Sequence, residues 1–347
     1  MTSRLARAAA GPHDGYRSRF HGQIVDVHTH FSVGAGDAAV AAMRAAGLGG
    51  LVNLVGAWPP QPFEEWRAGW SGDRAVAGMV LFHAPDLAGI GSPGFERDLA
   101  DDVRRAFELG ARGLKIWKQL GLWLTDASGD RVAVDDERLA PMWDCAARHR
   151  RPAGIHIADP QPFFQPVAPD NPRYTELLER PDWSFAGDEF PRLETLHDEF
   201  ERLVSAHPAT DFVALHGGCF IPFDRLHRMM RRYPNLWLET SARVLDLAQE
   251  PAAARALLCD FADRVLFGSD YARMAGWLDQ PLPGEYPDLT QAFYARNLAF
   301  FETGLDGIGN PFPFQSEATV RGLDLPDDVL EQLYFRNAQR LLGLPAT

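Results

Sequence analysis

Eight short apolar runs, separated by longer amphipathic stretches, constrain this chain more than any other feature. They are Ile24–Val27, Gly50–Val55, Ala75–Phe82, Arg112–Trp117, Ala153–Ile157, Asp211–Leu215, Leu236–Thr240 and Arg264–Gly268. Most read as continuous hydrophobic runs, the pattern of parallel strands covered on both faces. Helical periodicity fills the stretches between them. Phe95, Leu99, Val103 and Phe107 recur every four residues among acids and arginines, and Asp136 to Arg148 behaves the same way. Phe223 to Tyr233 follows Pro222, and Leu289 to Phe301 follows Pro287, where proline suits a helix start. Pro326 to Leu342 reads as a closing helix. Alternation without a compositional break predicts an α/β protein: a single-domain (β/α)8 TIM barrel over residues 23–347, preceded by an N-terminal segment, 1–22. An open doubly wound sheet is the competing architecture, but Gly34-x-Gly36 lacks the third glycine of a dinucleotide-binding turn.

Two connections are too long to be simple turns. Ala158 to about Arg192, after the fifth strand, contains Pro160-Gln161-Pro162-Phe163-Phe164; Tyr271 to Tyr286, after the eighth, contains Trp277, Pro281 and Pro283. Both leave from C-terminal strand ends, where barrel active sites sit, and their aromatics suit a substrate-capping role. The net charge of -13 weighs against nucleic acid and acidic membranes as partners, while leaving room for an anionic small molecule. Three cysteines without a CxxC spacing, Cys145, Cys219 and Cys259, fit a reducing compartment. Met1 to Ala10 lacks the apolar core of a secretory signal, and no run reaches membrane-spanning length, so a cytoplasmic location is expected.

Chemistry-bearing side chains collect at the strand ends. The first strand closes on His28-Thr29-His30, with Asp26 two residues deeper on the same face. Lys115 lies on the fourth strand, His156 on the fifth, His216 on the sixth, and Asp270 follows the eighth. These residues are distant in sequence, yet a barrel gathers strand ends around one axis. Three of these four histidines with the aspartate form a nitrogen and oxygen set suited to one divalent ion, Zn²⁺ first, with Mn²⁺ or Fe²⁺ as competitors.

With these motifs in view, the chain resembles the metal-dependent amidohydrolase superfamily, in the amidohydrolase-2 branch that includes aminocarboxymuconate-semialdehyde decarboxylase-like enzymes. The matching pieces are Val25-Asp26-Val27-His28-Thr29-His30, Gly113-Leu114-Lys115-Ile116, Ile155-His156 and Phe212-Val213-Ala214-Leu215-His216-Gly217-Gly218. They continue with the segment from Tyr233 to Ser241, then Asp263 to Tyr271, and close with Asn337 to Gly343. The resemblance implies a metal held by His28, His30, His156 and Asp270, with His216 as a polarising group and proton shuttle. A hydrolase of a small amide, lactone or related ester follows, with Asp270 as the base for a metal-activated water. The alternative is non-oxidative decarboxylation of a carboxylated aromatic or enal by a lyase of the same branch; a catalytically silent binding barrel is a third class. Many decarboxylases of the branch carry glutamate in place of the first histidine, so His28 leans towards hydrolysis.

Other residues are given supporting parts. Asp26 is expected to hold a histidine tautomer from behind. Lys115 shares a strand face with Trp117, with Lys118 on the opposite face, and is read as a contact for a substrate carboxylate in preference to a carbamylated, metal-bridging lysine. Arg243 and Arg273 are further carboxylate contacts, set against the reading of each as a salt bridge. His149, His197, His207 and His227 fall on helical patterns and are expected to be solvated. The expected partner is a small molecule, and the branch implies a homo-oligomer.

Overall fold

The computed structural model describes residues 11–54, 60–70, 79–273, 287–313 and 315–344. In chain order the first nine strands are β1 (Val25–Phe31), β2 (Gly50–Leu54), β3 (Met79–Phe82), β4 (Leu114–Ile116), β5 (Ala153–Ile155), β6 (Phe212–Ala214), β7 (Leu236–Glu239), β8 (Val265–Leu266) and β9 (Tyr271–Arg273). Each of the eight apolar runs contains or adjoins a strand. Residues 75–78 of the third run lie outside the described residues.

The chain divides into two compact units. One comprises residues 1–56, 64–81 and 239–347; the other comprises 57–63 and 82–238.

In the first unit the sheet order is β3-β2-β1-β9. β1 is parallel to β2 on one side and to β9 on the other, with Thr29 opposite Tyr271 and His30 opposite Ala272. The Val27 amide also donates to the carbonyl of Phe267, just past β8, at 2.9 Å. The first strand therefore neighbours the last ones. A doubly wound sheet would instead place its first strand centrally and reverse order around it. Every residue of β1 is buried, so the polar members of Val-Asp-Val-His-Thr-His-Phe must find partners inside the protein.

The closing segment of this unit is helical over Asp327–Glu331 and Asn337–Leu342, joined by a π-helical turn at Gln332–Arg336. Within that turn the Leu333 carbonyl accepts the Phe267 amide at 3.0 Å, which ties the closing segment to the end of β8.

The N-terminal segment is sewn to this unit from Gly11 onward. Glu302, nearly fully buried, accepts from the Tyr16 hydroxyl at 3.0 Å, Ser18 at 2.7 Å and the Arg19 amide at 2.7 Å. Burial, with the Glu302 charge beside it, pushes the Tyr16 hydroxyl up to about 12.

In the second unit β4, β5, β6 and β7 pair in sequence order, all parallel. Helix Phe95–Glu108 buries Leu99, Val103 and Phe107, three of the four positions its four-residue repeat assigned inward, while Phe95 at its start is half-buried, and the neighbouring helix Ala140–His149 buries Met142, Trp143 and Cys145. The long connection after β5 is not featureless: it forms 3-10 turns at Gln161–Phe164 and Pro181–Trp183 and a short helix at Tyr174–Glu179. Among the described residues no helix is long and apolar enough to cross a membrane.

Candidate metal centre

The first unit carries the tighter cluster. Alternation along β1 turns Asp26, His28 and His30 to one face. Asp270 follows β8 in a left-handed backbone conformation, φ 63°, with its amide donating to the His28 carbonyl at 2.8 Å. A non-glycine residue held there is strained, and such strain concentrates where side-chain direction matters more than backbone comfort. The outcome is a triangle of donor atoms. His28 Nε2 lies 3.2 Å from His30 Nε2 and 3.3 Å from Asp270 Oδ1, and His30 Nε2 lies 3.2 Å from the same oxygen.

The other ring nitrogens decide the protonation. His30 Nδ1 meets the Leu54 carbonyl at 2.8 Å, and a carbonyl can only accept, so the proton is assigned to Nδ1. His28 Nδ1 meets Glu239 Oε2 at 3.0 Å and Ser241 Oγ at 2.8 Å, and it too donates. In the neutral rings both Nε2 atoms therefore present lone pairs to each other and to a carboxylate oxygen. A proton relieves one edge of that triangle, whereas a divalent cation relieves all three. Three donors at about 2.1 Å from a tetrahedral ion stand roughly 3.4 Å apart, close to the observed spacing. The donor set fits a divalent metal.

Glu239, at the end of β7, is the residue that sequence reasoning missed. It is fully buried, accepts from the Ser241 amide and from the Ser241 hydroxyl at 2.7 Å, and holds the His28 ring. Its available signal was an acid closing an otherwise apolar strand, Leu-Trp-Leu-Glu. Gly268 makes room for it: a Cβ there would fall 1.8 Å from Glu239 Oε1 and 2.8 Å from the His28 Cβ. Asp26 acts differently from expectation. It accepts from the His28 amide at 3.0 Å, the Ser269 amide at 3.0 Å, the Ser269 hydroxyl and the Tyr294 hydroxyl at 2.7 Å. It thus braces the backbone beside His28 and Asp270, and the carboxylate at the His28 ring is Glu239. Burial pushes Asp26 up to about 7 against the pull of those four donors.

The second unit brings His156 and His216 together, rings edge to face with centroids 4.4 Å apart. His216 is the second residue of the turn Leu215–Cys219, in which His216, Gly217, Gly218 and Cys219 all have positive φ. Two glycines at the centre make such a left-handed run affordable, since it strains only the non-glycine members. His197 bonds the Gly218 carbonyl at 2.9 Å and stacks on Phe220, so it is buried structure and not the solvated histidine its helical position suggested. His156 Nε2 approaches Asp159 Oδ1 at 3.4 Å, and Asp159 is also paired with Lys118. Burial pushes His156 down to about 4, outweighing the Asp159 contact. Burial alone would raise the Asp159 carboxyl; the Lys118 ammonium and His156 overcome it and hold it well below the usual carboxylate range.

The carboxylate contacts expected from sequence fare unequally. Lys115 is buried, with Nζ over the Trp117 ring at 4.6 Å, as their shared strand face required. Arg243 is buried in an ion pair with Asp246 at 2.9 Å, the salt-bridge reading. The Arg273 backbone pairs with Phe31, and its side chain lies outside the described residues, as do residues 274–286 of the second long connection.

A family model described as amidohydrolase matches residues 25–344. The chain belongs to this amidohydrolase family. It is similar in structure to an uncharacterised TIM-barrel protein of Bordetella bronchiseptica, at 15% identity and TM-score 0.52 over 93% of this chain and 99% of that one. Dihydroorotase of Campylobacter jejuni is similar at 12% identity and TM-score 0.52, over 96% and 86%. A dihydroxybenzoic acid decarboxylase of a Polaromonas species, solved with manganese and an inhibitor, is similar at 14% identity and TM-score 0.54, over 94% and 98%. No curated protein matches the chain. Likeness at these identities shows the fold, and with the family match this amidohydrolase is a (β/α)8 barrel, as its strand alternation predicted.

Proposed function

We propose that this amidohydrolase is a divalent-metal-dependent hydrolase of a small amide, lactone or related ester. The observation carrying this reading is the asymmetry of the triangle: both imidazoles are buried, while the Asp270 side chain keeps 16% of its surface exposed. A carboxylate that touches both histidines and still meets solvent can orient water and take its proton. His28, His30 and Asp270 would hold the ion, and the family resemblance adds His156. The ion supplies Lewis acidity, polarising a substrate oxygen and making water acidic enough to ionise near neutral pH. His216, set on its strained turn, would hand a proton to the leaving group.

Non-oxidative decarboxylation is the second reading. It is favoured by the aromatic side chains along the connection after β5 and by the likeness to a manganese-containing decarboxylase. In that reaction Lys115, buried over the Trp117 ring, would hold the substrate carboxylate. A panel of lactones, amides and esters, run beside carboxylated aromatics on metal-loaded protein, separates the two. Hydrolysis of at least one panel member is expected, with an Asp270→Asn loss of roughly 10²–10⁴ in turnover at unchanged metal content. Release of CO₂ from the aromatic acids, with no hydrolysis, would overturn the first reading.

A further inference from the structure

Beside His156, the second unit holds a charge pair set among aromatic rings. Lys118 lies just past β4 and Asp159 just past β5, and the two are joined in an ion pair. The Lys118 Nζ stands 5.1 Å from the Phe185 ring centre and 5.8 Å from that of Trp183, both from the far end of the connection that begins at Asp159. Trp123 stacks on Phe185 at 5.9 Å and 25°, and it keeps 42% of its surface exposed. The pair itself is not sealed: Lys118 retains 17% side-chain exposure and Asp159 11%.

We propose that Lys118 and Asp159 form a recognition subsite for a neutral group that both donates and accepts hydrogen bonds, a primary amide or a hydroxyl, carried on a flat unsaturated frame. The chemistry follows from charge and shape. An ammonium paired with a carboxylate is close to neutral, so a second carboxylate entering here would meet Asp159 and have to strip Lys118 from it. A neutral amide meets no such opposition. Its N–H donates to Asp159, its carbonyl accepts from Lys118, and both bonds are charge-assisted. The Phe185 and Trp183 rings that flank Lys118 give a flat partner apolar walls to lie against. Lys118, which the strand pattern placed away from Lys115 and left without a part, thereby becomes a specificity determinant. This inference deepens the hydrolase reading by naming a feature of the substrate, and it rests on that reading only for its relevance to turnover.

The test measures binding and not rate, so the two can fail separately. Benzamide, N,N-dimethylbenzamide and benzoate are titrated calorimetrically into metal-loaded protein. Benzamide is expected to bind at least tenfold more tightly than its dimethyl analogue, which cannot donate. Asp159→Ala should erase that preference, whereas Lys118→Met should weaken both amides by a similar factor, Lys118→Arg should restore most of that loss, and benzoate affinity should change less than twofold in either Lys118 variant. Equal binding of the two amides, or no binding of either, overturns the proposal in the wild-type protein without any variant. Loss of benzoate binding in Lys118→Met to the same degree as benzamide also overturns it, because the pair is then a carboxylate clamp. A lactone or amide panel that turns over while this preference is absent removes the subsite alone; the preference without turnover removes the hydrolase reading alone.

Discussion

The two histidine pairs of this amidohydrolase are built on opposite plans. His28 and His30 stand on one strand with their rear nitrogens held by Glu239, Ser241 and the Leu54 carbonyl, so their front nitrogens are aimed before anything binds. His156 and His216 come from a strand end and a left-handed turn, and meet each other edge to face. The first plan pre-sets lone pairs and suits an ion. The second places His156 beside the ionisable Asp159, and His216 there is the group proposed to move a proton. Metal loading should therefore depend far more on the first pair than on the second.

The largest expected effect tests this directly. His30→Ala removes one corner of the donor triangle and should reduce metal content, measured by mass spectrometry after dialysis against Zn²⁺ or Mn²⁺, to under a tenth of the wild-type stoichiometry. His216→Asn should retain it. Full loading of His30→Ala, or equal losses in both variants, would break the contrast between the pairs.

An intermediate effect concerns pH, and the two units differ in sign. In the metal-free protein Asp26 has a folded pKa raised from 3.8 to about 7 by burial. Its contribution to stability is complete below the unfolded value and is lost as pH rises through the folded one. His156 has a folded pKa lowered from 6.5 to about 4, again by burial. Its contribution is complete above pH 6.5 and is lost as pH falls towards 4. Each is worth on the order of 3–4 kcal/mol across its window. Global melting should consequently change little between pH 4 and 7, while hydrogen exchange, corrected for its intrinsic pH dependence, should show the first unit tightening and the second loosening on acidification. Asp26→Asn should abolish the first trend and His156→Gln the second. Trends of the same sign in both units would count against these assignments.

How much of this was legible in the sequence depends on what kind of information carried it. The strands were readable because burial on both faces demands unbroken apolar runs, and His28-Thr29-His30 was readable because period two puts both rings on one face. Glu239 was not, since an acid at a strand end looks the same whether it faces solvent or a ring 211 positions away in sequence. Asp159 was hidden in the same way, three residues past His156 in a stretch whose proline and phenylalanine content announced only a loop. Partners that meet across long sequence separations leave no periodic trace, and this governed Arg243 as well: only the fold tells Asp246 from a substrate carboxylate as its partner.

The smallest expected effect bears on how the first pair is held. Glu239 receives the Ser241 amide on one oxygen and the His28 ring with the Ser241 hydroxyl on the other. Glu239→Gln keeps the volume but turns one of those oxygens into an amide N–H, which must then face a donor. Metal affinity should fall roughly 10–100-fold, the usual cost of disturbing a carboxylate behind a ligating histidine. Gly268→Ala attacks the same contact by volume. Gly268 has no positive φ to protect, so alanine fits its backbone, and its methyl would collide first with Glu239 and the His28 Cβ. Competition titrations against a chelator should place both variants in the same range if the carboxylate acts by fixing the ring. A weakened Gly268→Ala beside an unaffected Glu239→Gln would show that filled space, and not the hydrogen bond from His28, keeps the first pair aimed.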